Sequence, residues 1–596
     1  MPGPPRPFLQ RSDVRLVALG VAAVLAVYVG FLGVSVDTAG QLVKRYGYYV
    51  MLGTFALWVL ALAQLWQRRA QGRRLTGLEA IWAGLAIGLL SLIALTSAPF
   101  QSQILFDEFV LQSTAFNMHY FRDTETMMRG YDMMGVFLST DNYLDKRPIF
   151  YPFLVSLAHD LTGYRVLNAY LLNALLFPVT LGLGYYLGRL VNGWRGGLLT
   201  VLLLGSLPLL GQNATGASME LLNITMLLAV VALAAAYLRQ PDAYRLSALV
   251  LGTVLLAQTR YESALYIGPV ALVILLGFWR TRQITLPWSA VIAPVLLLPY
   301  ALQHTVISHS PWMWELREDQ ASRFGLTYLK GNLQGAVQFL TSREPGLANS
   351  WPLAGLGVVA LAVLAWQARR LRPLGATARP VHTALFLLGW GVLANTALIM
   401  FYYWAKFDDP MASRFSLPLN VLFALAVVVL AAQGDRRWPV SWAIMGAMMI
   451  FTMGVTTSHS AGHLYAHLGI DEIEWEQRYV AARTPCDRLI LTNKSTMPWL
   501  LRKTPSILIN RARTVRDRLQ YQIKRGTYQE ILVTQSLRPA SRTGDHQMIP
   551  GDRLPPEYKL ELLVEKRFGT KIDRISRLVA VGDDPNGAKS AATGGP

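Results

Sequence analysis

Two acidic residues stand side by side in the stretch "SAPFQSQILFDEFVLQ": Asp107 and Glu108, set among Ile104, Leu105, Phe106, Phe109, Val110 and Leu111. Apolar surroundings disfavour the charged form of a carboxyl group, so at least one of the pair should have a raised pKa. A carboxylate in that condition is suited to draw a proton from a hydroxyl as a general base. Further along, Lys146 and Arg147 directly precede Pro148. A guanidinium fork beside an ammonium point charge suits a phosphate group, although contact with lipid headgroups also accounts for such a pair.

Other chemistry-bearing side chains are more dispersed. Trp312, Trp314 and Tyr328 share a later polar stretch and could line a cavity, or anchor at a membrane interface. His119, His159, His304 and His309 form no i, i+4 pair, and Cys486 is the single cysteine, so neither a histidine or cysteine metal site nor a disulfide framework is expected. Asp408 and Asp409, near Lys406 and Arg414 in "WAKFDDPMASRF", read as a solvated ion-pair cluster.

The elements that must carry these residues are mostly membrane helices. Of the 596 residues, 53% are hydrophobic and 15% charged, and the mean hydropathy is +0.33. A bilayer-spanning helix needs roughly 20 mainly apolar residues, and about thirteen such runs precede residue 458. They lie near 14–35, 47–66, 78–97, 166–188, 194–211, 219–238, 245–259, 262–279, 286–303, 351–367, 382–403, 415–432 and 438–457. The first lacks a small-residue cleavage site and reads as a retained helix.

Arginines set the orientation. Arg6, Arg11 and Arg15, then Arg68, Arg69, Arg73 and Arg74, then Arg369, Arg370, Arg372 and Arg379, and finally Arg436 and Arg437 all fall on one side under strict alternation. The positive-inside rule makes that side, and the N-terminus, cytoplasmic; Lys44 and Arg45 dissent. The net charge of +19 is thereby assigned to loops facing anionic lipid and needs no nucleic acid. The long polar stretches 98–165, 304–350 and everything after 458 then face outward.

The first of these has helical periodicity and reads as amphipathic surface helices, ending in a re-entrant or half-buried helix within "YLDKRPIFYPFLVSLAHDLTGY". After 458, "DRLILTN", "SILIN", "EILVTQ", "LELLVEKRFG" and "SRLVAVG" alternate with helical stretches such as "RTVRDRLQYQIKRGTYQ", which defines a small α/β domain over 458–583. Residues 584–596 read as a disordered tail.

An acid in the first large outer loop, followed at that distance by "KRPIFYPFLVSLAHDLTGY", resembles the GT-C superfamily of integral-membrane glycosyltransferases. The likeness is to the branch containing protein mannosyltransferases and lipid A aminoarabinose transferases. Two later stretches agree in order and sidedness: "TRYESALYIGPVAL", with Arg260, Tyr261 and Glu262, and "SRFSLPLNVLFALA", with Arg414 shortly before Pro418. The resemblance covers most of 78–457, here called the catalytic domain; residues 1–77 add a tail and two extra helices. Ile149 replaces the second proline frequent in that family.

The resemblance implies that Asp107 is the catalytic base and Glu108 a partner that positions the acceptor or tunes the base, with the choice between them open. It implies that Arg147, with Lys146 adjacent, binds a lipid phosphate, and that Arg260 and Arg414 are further phosphate ligands. Glu262 contacts substrate or neutralises Arg260. Glu220, in "GASMELLN", contacts sugar or is a first-turn acid favoured by the helix dipole.

The fold class expected is therefore a polytopic α-helical membrane protein, GT-C-like, with a C-terminal extracytoplasmic α/β domain. The activity expected is an inverting transfer of sugar from a polyprenyl-phosphate donor to a glycan, lipid or protein acceptor at the outer face of a bacterial inner or plasma membrane. No cofactor is required, because arginines can carry the charge; a divalent metal is compatible. A transporter or flippase of lipid-linked sugar and a membrane-anchored glycan-binding scaffold are the competing classes.

Overall fold

The computed structural model describes residues 12–68, 76–103, 105–133, 136–310, 316, 320, 322–344, 346–371, 374–375, 378–462, 469–484, 486–539, 546–548 and 550–582. Trp312, Trp314 and the stretch 584–596 lie outside the described residues. Chain contacts divide the protein into two compact units: residues 1–111, 118–124 and 144–466, and residues 112–117, 125–143 and 467–596.

The first unit is helical. Each of the thirteen apolar runs overlaps a helix, and by length and composition 10 of the described helices could cross a membrane. Two shorter apolar helices, Ala243–Ala257 and Trp351–Gln367, fall on two more of the runs. The runs at 166–188 and 194–211 share the element Leu167–Gly205, which leaves helical geometry at Asn192 and Gly193, the latter at φ 60°. That left-handed conformation suits glycine. The two arms then fold face to face, so closely that a Cβ on Gly188 would collide with the Gly196 backbone.

Glu220–Arg239 and Ser413–Gly434 are the most enclosed of the apolar helices. They pack with Leu167–Gly205 and with Pro380–Ile399, and both bring a charged residue to their N-terminal end: Glu220 opens the first, and Arg414 lies in the tight Ser413–Ser416 turn that opens the second. Pro418 follows in the first turn of Leu417–Gly434, where its missing N–H costs nothing.

The stretch 98–165 departs from the surface-helix expectation. Helices occur at Leu105–Phe121 and Phe150–Thr162, but between them the chain forms an antiparallel hairpin of β1 (Arg129–Met133) and β2 (Val136–Thr140), with Arg129 opposite Thr140. The helical periodicity read over this stretch does not hold there; strand pairing overrides it. Phe150–Thr162 is well buried, with Phe150, Tyr151, Phe153 and Val155 in the core.

The second unit contains a mixed sheet of β3 (Arg488–Thr492), β4 (Ser506–Leu508), β5 (Glu530–Pro539), β6 (His546–Met548), β7 (Tyr558–Phe568) and β8 (Lys571–Val581). The order is β4-β3-β5-β8-β7, with β6 pairing β5. Strands β4, β3 and β5 run parallel, and β8 and β7 extend the sheet antiparallel. Leu489, Leu491, Ile531 and Val533 pack on Leu519 and Ile509 from the intervening helices. The expected alternation of strand and helix after 458 is thus present. This unit also includes the hairpin of the first long loop, held by the Thr496 hydroxyl donating to the Met128 carbonyl at 3.2 Å.

Candidate active site

Asp107 and Glu108 occupy the first turn of Leu105–Phe121, yet they face different neighbours. Asp107 Oδ1 accepts a short hydrogen bond from Arg147 Nη2, and Asp107 Oδ2 pairs as closely with Arg414 Nη2. Glu108 is fully buried, and its Oε2 accepts from the Gln103 amide at 2.8 Å. The surroundings push the two carboxyls apart. Burial raises Glu108 to about 8, helped by the nearby charge of Glu220 and opposed by the Gln103 amide. Burial would raise Asp107 too, but Arg147 and Arg414 outweigh it and hold that carboxyl well below the usual range.

The arginines extend this pairing into a row. Arg147 Nη1 donates to both oxygens of Asp145, at 2.8 and 3.0 Å. Arg414 Nη1 lies 3.1 Å from Glu220 Oε1. Glu220 Oε1 also accepts from Arg260 Nη1 at 2.6 Å, and Arg260 Nε donates to Glu262 at 2.5 Å. The sequence Asp145, Arg147, Asp107, Arg414, Glu220, Arg260, Glu262 therefore alternates in sign, and each arginine bridges two acids. Phe415 stacks beneath, its ring centroid 4.8 Å from the Arg260 guanidinium carbon and 5.7 Å from that of Arg414. Glu220, Asn223, Arg260, Glu262, Arg414, Phe415, Leu417 and Pro418 line a narrow, closely packed cleft at this row.

Backbone placement explains why these residues meet. Asp107 and Glu220 lie in the first turns of helices, Arg260 caps the Tyr261–Tyr266 turn, and Arg414 precedes Leu417–Gly434. Helix N-termini present unpaired N–H groups and a positive dipole end, which favours the acids Asp107 and Glu220 in those first turns. The loop bearing Arg147 is clamped by Gln303, whose side-chain amide donates to the carbonyls of Asp145 and Arg147 at 2.7 and 2.9 Å. Arg147 is held above its ordinary pKa: burial would lower it, but Asp107 and Asp145 prevail.

Of the residues singled out from sequence, Asp107, Arg147, Arg260, Arg414, Glu220 and Glu262 come together in this row. Lys146 is half-buried one residue before Arg147. Tyr328 donates to the Ser322 carbonyl at 2.8 Å and is not among the residues lining the cleft. Asp408 and Asp409 do not form the expected cluster with Arg414: Asp409 caps the following turn through the amides of Met411 and Ala412, and Arg414 turns to Asp107 and Glu220. Asp145 and Gln303 were missed. Asp145 had a signal, an acid two residues before an arginine in "LDKRP", and Gln303 had one as a lone amide in an apolar helix. Among the described residues no group of His, Cys, Asp and Glu is arranged to hold a metal ion.

Fold and site together define an integral multi-pass helical membrane protein with a buried arginine–carboxylate row at converging helix N-termini and an attached mixed-sheet domain. By sequence, no family profile and no curated protein matches the chain. By structure, it is similar to ArnT from Cupriavidus metallidurans bound to undecaprenyl phosphate, at 16% identity and a TM-score of 0.48, over 84% of this chain and 99% of that one. It is similar to the Archaeoglobus fulgidus oligosaccharyltransferase in complex with Zn and sulfate, at 12% identity and a TM-score of 0.43, over 78% and 72% of the two chains. A further likeness is to the arabinosyltransferase EmbB from Mycobacterium smegmatis, at 16% identity and a TM-score of 0.31, over 69% and 44%.

Proposed function

We propose that the protein is an inverting glycosyltransferase that moves a sugar from a polyprenyl-phosphate carrier to an acceptor hydroxyl at the outer face of the membrane. The observation that carries this reading is one carboxylate, Asp107, bridging two half-buried arginines, Arg147 and Arg414. Such a place holds both parts that a displacement at an anomeric carbon needs. Asp107 takes the proton as the acceptor oxygen attacks, and the bond between the anomeric carbon and the phosphate oxygen breaks on the opposite face. Arg147 and Arg414 stabilise the charge that collects on the departing phosphate. Attack opposite the leaving group inverts the configuration.

The adjacent acid has a different part. Glu108 faces Gln103 and Gly216; its high pKa keeps it protonated near neutral pH, so it positions the first turn without adding a second negative charge beside Asp107. The motif order in the sequence, with its resemblance to GT-C transferases, supports the same activity. Lys146 adds positive charge next to Arg147, and Arg260 holds Glu220 in the row.

Purified protein in liposomes, supplied with a polyprenyl-phosphate sugar and an acceptor mixture, should release polyprenyl phosphate. Release that persists undiminished in the Asp107→Asn, Glu108→Gln double variant would overturn the assignment. Movement of intact lipid-linked sugar across the bilayer without cleavage would point to a flippase instead.

A further inference from the structure

The reading of Asp107 as a base leaves a physical difficulty: a carboxylate shared by two guanidinium groups is a weak base. The same row of ion pairs contains the resolution. Asp107 uses one oxygen on each arginine, Oδ1 on Arg147 and Oδ2 on Arg414. A phosphodiester presents its two free oxygens in the same bridging manner, and arginine suits either anion.

Both arginines also keep a hold that does not involve Asp107. Arg147 remains tied to Asp145 through Nη1, and Arg414 remains beside Glu220. Each has buried N–H capacity left over: Arg147 Nε and Arg414 Nε have no hydrogen-bond acceptor among the described residues. Buried unpaired donors are costly, and they point to a ligand rich in acceptor oxygens.

We propose that Asp107 holds the donor phosphate's place between Arg147 and Arg414, so that the donor must displace it before Asp107 can act as a base. This rests on the glycosyltransferase reading and adds an order of events to it. The donor arrives first, its phosphate takes over Arg147 and Arg414, and Asp107 swings free toward the acceptor hydroxyl. One buried anion replaces another, so the two cations are never left uncompensated, which is the costly state for buried charge. No proton is drawn from an acceptor until a leaving group is in position.

Binding of polyprenyl phosphate, followed by thermophoresis in detergent, tests the exchange. Asp107→Asn should bind the lipid about tenfold more tightly than wild type while losing transfer. Asp145→Asn and Glu262→Gln remove the same charge from the same row without vacating the phosphate's place, and they should tighten binding by less than about twofold. Equal tightening in all three would reduce the effect to bulk electrostatics and overturn the proposal, as would unchanged or weaker binding in Asp107→Asn.

A second measurement needs no variant. Labelling of wild type with a hydrophobic carbodiimide, read by mass spectrometry, should modify Glu108 regardless of lipid and Asp107 only when polyprenyl phosphate is present. Asp107 labelling that ignores or falls with the lipid would overturn the exchange. Wild type that binds no polyprenyl phosphate at all would overturn the donor assignment itself.

Discussion

Two of the protein's buried charge clusters are built differently. In the helical unit three arginines each bridge two acids along an open row ending at Asp145 and Glu262. In the sheet unit one lysine gathers three: Lys494 Nζ lies 3.2 Å from Glu472, 3.0 Å from Glu476 and 2.6 Å from Asp573. Asp573 is fixed again by the Ser536 hydroxyl at 2.7 Å, and Glu472 by Lys571 at 3.2 Å. A row of bridging forks can exchange one anion and keep its shape, because every cation has a second anchor. A hub around a single ammonium has no such reserve. The first arrangement suits traffic with a ligand, and the second suits holding strands and helices together.

The largest expected effect separates these roles. Arg414→Ala removes the cation between Asp107 and Glu220, and transfer should fall by roughly 10³-fold, as loss of a charge-stabilising donor does elsewhere; the release assay reads it directly. Lys494→Met should act on stability instead. It leaves Glu472, Glu476 and Asp573 without their shared cation, a loss of about 3–5 kcal/mol for a broken buried pair. The sheet unit should melt earlier in a thermal scan and become sensitive to limited proteolysis. If Lys494→Met abolished transfer without altering proteolysis, the contrast between exchangeable row and structural hub would fail.

The sequence revealed the parts of the row better than its connections. Spanning helices are legible because a bilayer demands long apolar runs, and charged residues at their ends stand out against that background. Asp107 and Arg147 were visible for that reason, whereas Arg260 and Arg414 were singled out through the resemblance of their stretches to the GT-C transferases. What pairs with what was hidden, since the partners lie on separate helices; Arg414 was read with its sequence neighbours Asp408 and Asp409 instead of with Asp107. Asp145 escaped notice beside the more conspicuous Lys146 and Arg147. The hairpin of β1 and β2 was hidden under a stretch read as helical, because strand pairing depends on contacts no local pattern contains. The strands after residue 487 were readable because β-branched runs alternate there with charged helical stretches.

A smaller effect tests the split between the two adjacent acids through pH. Glu108 has a folded-state pKa raised to about 8 by burial. A raised pKa favours the neutral acid in the folded state, so its contribution is complete below the ordinary value near 4.5 and is lost as pH rises through about 8. Wild type should therefore lose several degrees of melting temperature between pH 6 and pH 9, and Glu108→Gln, permanently neutral and still able to accept from Gln103, should lose markedly less. Melting curves in detergent across that range decide the matter. Curves that stay parallel would mean that Glu108 carries its charge in the folded protein, and its part as a neutral positioning group would fall.

The smallest effect concerns the ends of the row against its middle. Glu262 pairs with Arg260 alone within the row, and Arg260 is still held by Glu220 at 2.6 Å and by the ring of Phe415 when that partner is neutralised. Glu262→Gln should consequently lower transfer about threefold or less. Glu220→Gln has the same change in charge but sits between Arg414 and Arg260, so it loosens both cations and should cost tenfold or more. Comparable losses from the two variants, measured side by side in the release assay, would mean that position along the row is irrelevant and that only its total charge matters. A steep difference would locate function at the stretch from Arg147 to Glu220, where each residue has partners on both sides and the anion that is exchanged lies between two anchored arginines.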